Sequence, residues 1–290
     1  MVPTGSLIMM VVNAILGFAI PIFLAWWAVK KHKANLSTIL LGAGTFFVFA
    51  LVLESLVHQI VLKGPHGAAI QGNVLYYALY GGLMAGLFEE TGRFVAMKFL
   101  LKREPTTPKA GVAYGLGHGG VEMMLLFGLA MISSFAMAVM INAGQTETLL
   151  SQVPAEAKDQ LVAQLDQIKD ASAGSFLLGL LERFSALILQ VSLSILVWAA
   201  ARKGGKWLWL FPVAILLHAL VDGLAVILSK NTGTVTVELI ILAMAIAVAG
   251  LAWLVAKRAF PAKPVPDATS DADRGVSTPS VLTPRKNEGG

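Results

Sequence analysis

The chain alternates long apolar runs with short polar segments. A hydrocarbon layer about 30 Å thick needs about 20 mostly apolar residues in helix. Seven runs meet that length: Leu7–Val29, Leu36–Leu62, Val74–Leu101, Ala110–Ile141, Phe176–Ala200, Trp207–Leu228 and Val235–Ala256. They predict an all-α, polytopic bundle of about seven transmembrane helices. Several runs exceed what a bilayer needs, so their ends protrude or the helices tilt. Composition agrees. Of 290 residues, 56% are hydrophobic and 13% charged, where a soluble domain carries about 25% charged. A single soluble core of this length has no way to hide so much apolar surface, which excludes a plain cytosolic enzyme, a disordered chain and a fibrous one. The absence of cysteine excludes disulfide scaffolds, thiolate metal sites and a cysteine nucleophile.

Charge sets an expected orientation. Basic residues gather in alternate loops, at Lys30, Lys31 and Lys33, at Lys102, Arg103 and Lys109, at Arg202, Lys203 and Lys206, and at Lys257 and Arg258. The positive-inside rule places these in the cytoplasm, with the N-terminus outside and the C-terminus inside. The net charge of +5 therefore points to a membrane and its lipids rather than to nucleic acid, and the expected location is the cell membrane, multi-pass. The first run lacks a basic flank and is too long for a signal peptide, so it reads as a retained anchor. Residues 142–175 form an expected external acidic loop. Leu161, Leu165 and Ile168 share one face of a helix there, starting near Pro154; it reads first as a solvated connecting helix, and otherwise as a surface helix or a lid. Residues 1–260 make the transmembrane domain, and 261–290, rich in Pro, Ser, Thr and charge, an expected disordered cytoplasmic tail.

Ionisable residues sit inside the apolar runs, where each costs a few kcal/mol and marks a functional hypothesis by default. The third run has Glu89, Glu90 and Arg93, the fourth His118 and Glu122, the sixth His218 and Asp222. At ~1.5 Å per residue, Glu90 lies roughly 18 Å from Lys102, His118 roughly 14 Å from Lys109, and His218 roughly 18 Å from Lys206. The three runs thus share one polar layer near mid-membrane. His118/Glu122 and His218/Asp222 are i,i+4 pairs, so each pair shares a helix face. Arg93 can reach either neighbouring glutamate but not neutralise both. Four carboxylates against one guanidinium require retained protons, a bound cation or water. Glu54, His58, Glu182 and Arg183 lie nearer the outer side and read as a separate, structural cluster. Gly82 and Gly86 form one ridge with Glu90, and Gly111, Gly115 and Gly119 another; small residues at this spacing let helices approach closely or leave room for a substrate backbone.

For hydrolysis within the membrane, several solutions are missing. No His-Glu-x-x-His zinc motif occurs, no Gly-x-Ser-Gly, and only one intramembrane aspartate. A glutamate acting on water with histidine help remains. Glu89-Glu-Thr-Gly-Arg93, Tyr114-Gly-Leu-Gly-His118-Gly-Gly-Val-Glu122 and His218-Ala-Leu-Val-Asp222 together resemble the YhfC family of membrane peptidases. More distantly they resemble the CAAX prenyl protease/bacteriocin-processing (CPBP) group and PrsW. The wider group's glutamate motif has its arginine four residues after the second glutamate, whereas Arg93 follows Glu90 by three, which turns it about 100° around the helix. The resemblance implies a peptidase of membrane-associated protein or peptide substrates. In it Glu89 or Glu90 takes a proton from water, His118 orients that water, His218 and Asp222 polarise the carbonyl, and Arg93 holds the glutamates. Hydrolysis needs water, so a cavity reached from the cytoplasm is expected.

Two questions stay open at this level. The mechanism requires no cofactor if it is glutamic, while a divalent metal such as zinc, held by His118, His218, Glu90, Glu122 and Asp222, is the alternative. The same buried groups also suit a proton- or ion-coupled transporter, although no repeated half is evident.

Overall fold

The computed structural model describes residues 1–261. The expected tail therefore falls outside the described residues, Pro261 apart. In chain order the helices are α1 (Thr4–His32), α2 (Leu36–Leu62), α3 (Gly67–Gln71), α4 (residues 74–100), α5 (Pro108–Asn142), α6 (Thr146–Ser151), α7 (Lys158–Asp170), α8 (Ala173–Lys203), α9 (Leu210–Asn231) and α10 (Thr234–Ala259). The described residues contain no strand.

Each apolar run folds as one long helix. Six of these are long and apolar enough to cross a bilayer. The seventh, α4, has 22 α-helical residues and a 5-residue π-helical end, and its lower hydropathy comes from Glu89, Glu90, Arg93 and Lys98. Local signals set the ends. Asn35, Asn73 and Ser172 accept hydrogen bonds from the first free backbone N–H groups of α2, α4 and α8, a common use of such side chains. Pro108 opens α5, where its missing N–H costs nothing. Outward faces carry exposed Ile15, Leu40, Ile60, Leu216 and Trp253, as lipid contact requires.

Helix α8 is the centre of the bundle: 72% of its most apolar window is buried, against 22–28% in the other five apolar spans. It packs on α10, α5, α9, α4 and α1, while α4 pairs with α9 and α2 with α5. Glycines make two of these contacts close. A Cβ on Gly86 would stand 2.6 Å from the Ile215 carbonyl oxygen of α9, and one on Gly115 would stand 2.6 Å from the Val191 Cα of α8. The glycine ridges thus seat helix on helix, which brings α4 and α5 onto the helices that carry their site partners.

The two ends of the bundle differ. The end with the basic loops is filled by Met97, Leu101, Tyr114, Leu193, Leu196 and Trp198, all buried in one apolar cluster. Trp198 donates its indole N–H to Thr107 O at 2.8 Å, and Arg202 donates to the carbonyls of Lys102 and Glu104, tying the 101–107 loop down. At the opposite end α7 is not simply solvated. Leu165 and Ile168 are buried with Val2, Met10, Ala138 and Ile141, so the helix docks on the ends of α1 and α5. Ser6 and Asn13, polar groups in an apolar span, donate to Ala171 O and Phe176 O, fixing α1 to the start of α8.

Candidate active site

The mid-membrane layer forms one connected network. Consecutive glutamates on α4 diverge to different partners. Glu89 Oε2 lies 2.8 Å from His118 Nε2 on α5, and Glu90 Oε1 lies 2.8 Å from His218 Nδ1 on α9. With both carboxyl groups ionised, the facing nitrogens, His118 Nε2 and His218 Nδ1, are the ones that carry the proton. His218 Nε2 then faces Asp222 Oδ2 at 3.5 Å. Arg93 Nη1 stands 3.2 Å from Glu90 Oε1, and Nη2 stands 3.8 Å from Glu89 Oε2. The guanidinium thus contacts both glutamates, with Glu90 the nearer. Its i+3 spacing from Glu90 and i+4 from Glu89 make this double contact on one helix face.

A residue the sequence did not single out completes the network. Gln190, on the central helix α8, donates from Nε2 to Glu89 Oε2 (3.0 Å) and Glu122 Oε2 (2.7 Å), and its Oε1 accepts from Arg93 Nη2 at 2.5 Å. One amide therefore links α4, α5 and α8. A neutral side chain in an apolar run gives no charge signal; the alternation of Gln190, Ser192 and Ser194 with apolar residues was the available hint. Glu90, Arg93 and His118 are fully buried, and His218 nearly so.

Beside this layer lies a cavity of about 570 Å³ whose lining includes Phe46, Glu54, Glu89, Glu122, His218 and Asp222. Glu89 borders it, whereas Glu90, Arg93 and His118 stand behind the wall. His118 packs edge-on against Phe46, with ring centroids 5.2 Å apart, and reaches the cavity only through Glu89. Geometry therefore separates the glutamates: one is reachable by water, the other is enclosed. His118 thus contacts a carboxylate that borders the cavity rather than the cavity itself.

Two further expectations change. Glu54, His58, Glu182 and Arg183 also line this cavity, and Arg183 Nη1 lies 3.7 Å from Glu122 Oε1, so they are the outer part of one site and not a separate cluster. The cavity also runs toward the face opposite the basic loops, as its lining by His58 near the end of α2, Ser229 near the end of α9 and Glu238 near the start of α10 requires. The apolar plug around Trp198 closes the basic side from which entry was expected. Glu54 closes the π-helical stretch Phe47–Glu54, and Glu122 precedes another, Met123–Gly128; such wide turns often fall at functional sites.

The profile of the YhfC intramembrane metalloprotease family matches residues 16–246. The chain belongs to this family. It is also 37% identical over 262 residues to the membrane protein YhfC of Bacillus subtilis (strain 168), covering 90% of this chain and all of that one. No solved structure matches. YhfC membership gives the coarse activity, a protease of the membrane, and a multi-pass membrane location.

The YhfC family name implies a metal, and the donor set tests it. Among the described residues no three His, Asp or Glu side chains converge as a cage. Both histidines already face a glutamate across 2.8 Å, and the Arg93 guanidinium holds positive charge between the glutamates. As arranged, the set proposed for zinc does not fit one.

Proposed function

We propose that this chain is an intramembrane endopeptidase that cuts a peptide bond of a membrane-associated substrate, with Glu89 as the general base. The observation that carries the reading is the pairing of a cavity-facing carboxylate, Glu89, with a buried imidazole, His118, at 2.8 Å, opposite a second imidazole, His218, that borders the same cavity.

In this reading a water in the cavity gives a proton to Glu89 as its oxygen attacks the scissile carbonyl carbon. His118 and Gln190, both donating to Glu89 Oε2, fix that carboxylate's direction. His218, held through Nδ1 by Glu90, turns its Nε2 edge to the cavity, where a donor polarises the carbonyl oxygen as it gains charge. Asp222 faces that edge and favours the proton on it. Collapse of the tetrahedral intermediate breaks the C–N bond, and the proton on Glu89 passes to the leaving amine. Positioned proton transfer of this kind contributes about 10²–10⁴-fold, and one fixed donor at the oxyanion about 10²–10³-fold. The Glu90–Arg93 pair touches no reacting atom and holds the scaffold. With the basic loops read as cytoplasmic, the cavity mouth lies on the outer side of the membrane in this proposal.

The test is cleavage of a membrane-anchored reporter peptide by purified protein in liposomes. Glu89→Gln is expected to abolish it while the protein stays folded. Activity that survives Glu89→Gln, or that is lost to a chelator and regained with one particular ion, overturns the glutamate mechanism. Ion flux in sealed vesicles without peptide cleavage overturns the protease reading altogether.

A further inference from the structure

The cavity continues from the His218–Asp222 pair toward the far ends of α2 and α9, and its outer half is lined by Glu54, His58, Glu182, Arg183, Ser229 and Glu238. Most of the charges there are partnered. Glu54 Oε1 lies 3.0 Å from His58 Nε2, whose other nitrogen meets the Tyr80 hydroxyl at 2.8 Å. Glu182 pairs with Arg183, and Arg183 also faces Glu122.

Glu238 differs. It is 6% exposed, its Oε2 is buried with no hydrogen-bond partner, and no ion pair reaches it among the described residues. Its charged neighbours across the α8–α10 contact are Glu182 and Arg183, and Arg183 is already engaged twice. A carboxylate in an apolar span is costly to keep and is retained for a use. This one borders a space of about 570 Å³, within the ordinary range of ligand sites.

We propose that Glu238 is the anion of a recognition subsite that takes the ammonium or guanidinium group of a substrate lysine or arginine. The inference rests on the cavity being the peptidase's substrate site, and it names a substrate class: segments with a basic residue a short, fixed distance from the cut bond. The distance follows from the helices. Glu238 is one turn into α10, level with the last turns of α9, roughly 13 Å along that helix from His218 at ~1.5 Å per residue. A lysine side chain spans about 6 Å of this. The remainder, about 7 Å, corresponds to about two residues of extended peptide at ~3.3 Å each. With the other charges there already partnered, the unpaired Glu238 carboxylate is the group that draws a cation in and rejects an acidic residue.

The experiment uses the full-length protein in phosphatidylcholine liposomes and a set of transmembrane reporter peptides. A single lysine is walked through the five positions on each side of the cut, against the same set with norleucine and the same set with glutamate. The wild type is expected to prefer lysine at one position by at least tenfold in kcat/KM, mostly through KM. Glu238→Gln is expected to make the lysine and norleucine peptides equal at that position, and Glu238→Lys to move the preference to glutamate. Lysine preference that is absent in the wild type, or that persists in Glu238→Gln, overturns the subsite. So does equal slowing of every peptide by Glu238→Gln, which marks a structural carboxylate. Rates that follow sodium concentration rather than peptide charge assign Glu238 to an inorganic ion and also overturn it. If the wild type cleaves no peptide, the peptidase reading itself has failed; if Glu89→Gln cleaves as fast as wild type, only the glutamate mechanism has failed; if only the lysine preference fails, both stand.

Discussion

Gln190 Oε1 accepts a 2.5 Å hydrogen bond from Arg93 Nη2, and through it the central helix grips the charged layer of α4. The same amide donates to Glu89 and Glu122. Replacing Gln190 by leucine strands Glu122 Oε2 and one Arg93 guanidinium donor, and leaves Glu89 Oε2 with His118 alone. Each stranded buried group costs about 1–3 kcal/mol, more where it is charged. The melting temperature is therefore expected to fall. Because Glu89 loses a positioning donor and not its proton acceptor, kcat is expected to drop about 10- to 100-fold with KM little changed. Gln190→Glu, which sets a further carboxylate beside two others, should be worse on both counts. Unchanged kcat in Gln190→Leu would show that Glu89 needs no support from α8.

What the sequence made legible follows from the physics of each element. Seven helices could be read because a bilayer demands about 20 apolar residues per span, and the polar layer because charge is rare inside such runs. The i,i+4 spacing of His218 and Asp222 foretold their contact. Three things were hidden. Gln190 is neutral, so nothing in composition marks it among the apolar residues of α8. The centrality of α8 depends on which helices pack together, and a chain of uniformly apolar runs does not encode neighbours. The side from which the cavity opens depends on Trp198, Leu196 and Met97 meeting at one end, contacts made between residues about 100 positions apart.

The adjacent glutamates are expected to separate cleanly when each is changed to its isosteric amide. Glu89→Gln removes the base that borders the cavity, and kcat should fall by at least the ~10² that general-base catalysis supplies, with the fold intact. Glu90→Gln removes the charge facing Arg93 and His218 inside the protein. Breaking one side of a buried pair costs about 3–5 kcal/mol, so this variant should lose thermal stability first and retain partial activity at low temperature. Paired measurements of kcat and melting temperature check the assignment, and the reverse pattern would exchange the two roles.

Helix approach gives a steric prediction. A Cβ on Gly86 meets the Ile215 carbonyl at 2.6 Å, which only a shift of α9 relieves, and Ile215 is three residues from His218. Gly86→Ala is expected to cost about 1–3 kcal/mol and to reduce activity by loosening the Glu90–His218 pair. Gly250, on α10, has open space around it. Gly250→Ala should be neutral or stabilising by up to about 1 kcal/mol through helix propensity. Denaturation of both variants in detergent, beside reporter cleavage, tells close packing from a general intolerance of larger side chains.

The direction in which the cavity opens can be measured because the chain has no cysteine, so any single introduced thiol is the only one. Ala225 borders the cavity on α9. A thiol there, in intact cells or oriented vesicles, is expected to react with a membrane-impermeant maleimide from one face only. That face should be the one that labels Thr148→Cys, in the 143–157 segment, and not the one that labels Arg103→Cys, in a basic loop. The reason is structural: between Ala225 and the basic side stand the enclosed Glu90–His218 pair and the apolar plug of Leu193, Leu196 and Trp198, whereas toward the other face the lining is Ser229, Glu182 and Glu238. Reaction from the Arg103 side would mean that the plug opens, and water and substrate would then enter where the positive loops first suggested.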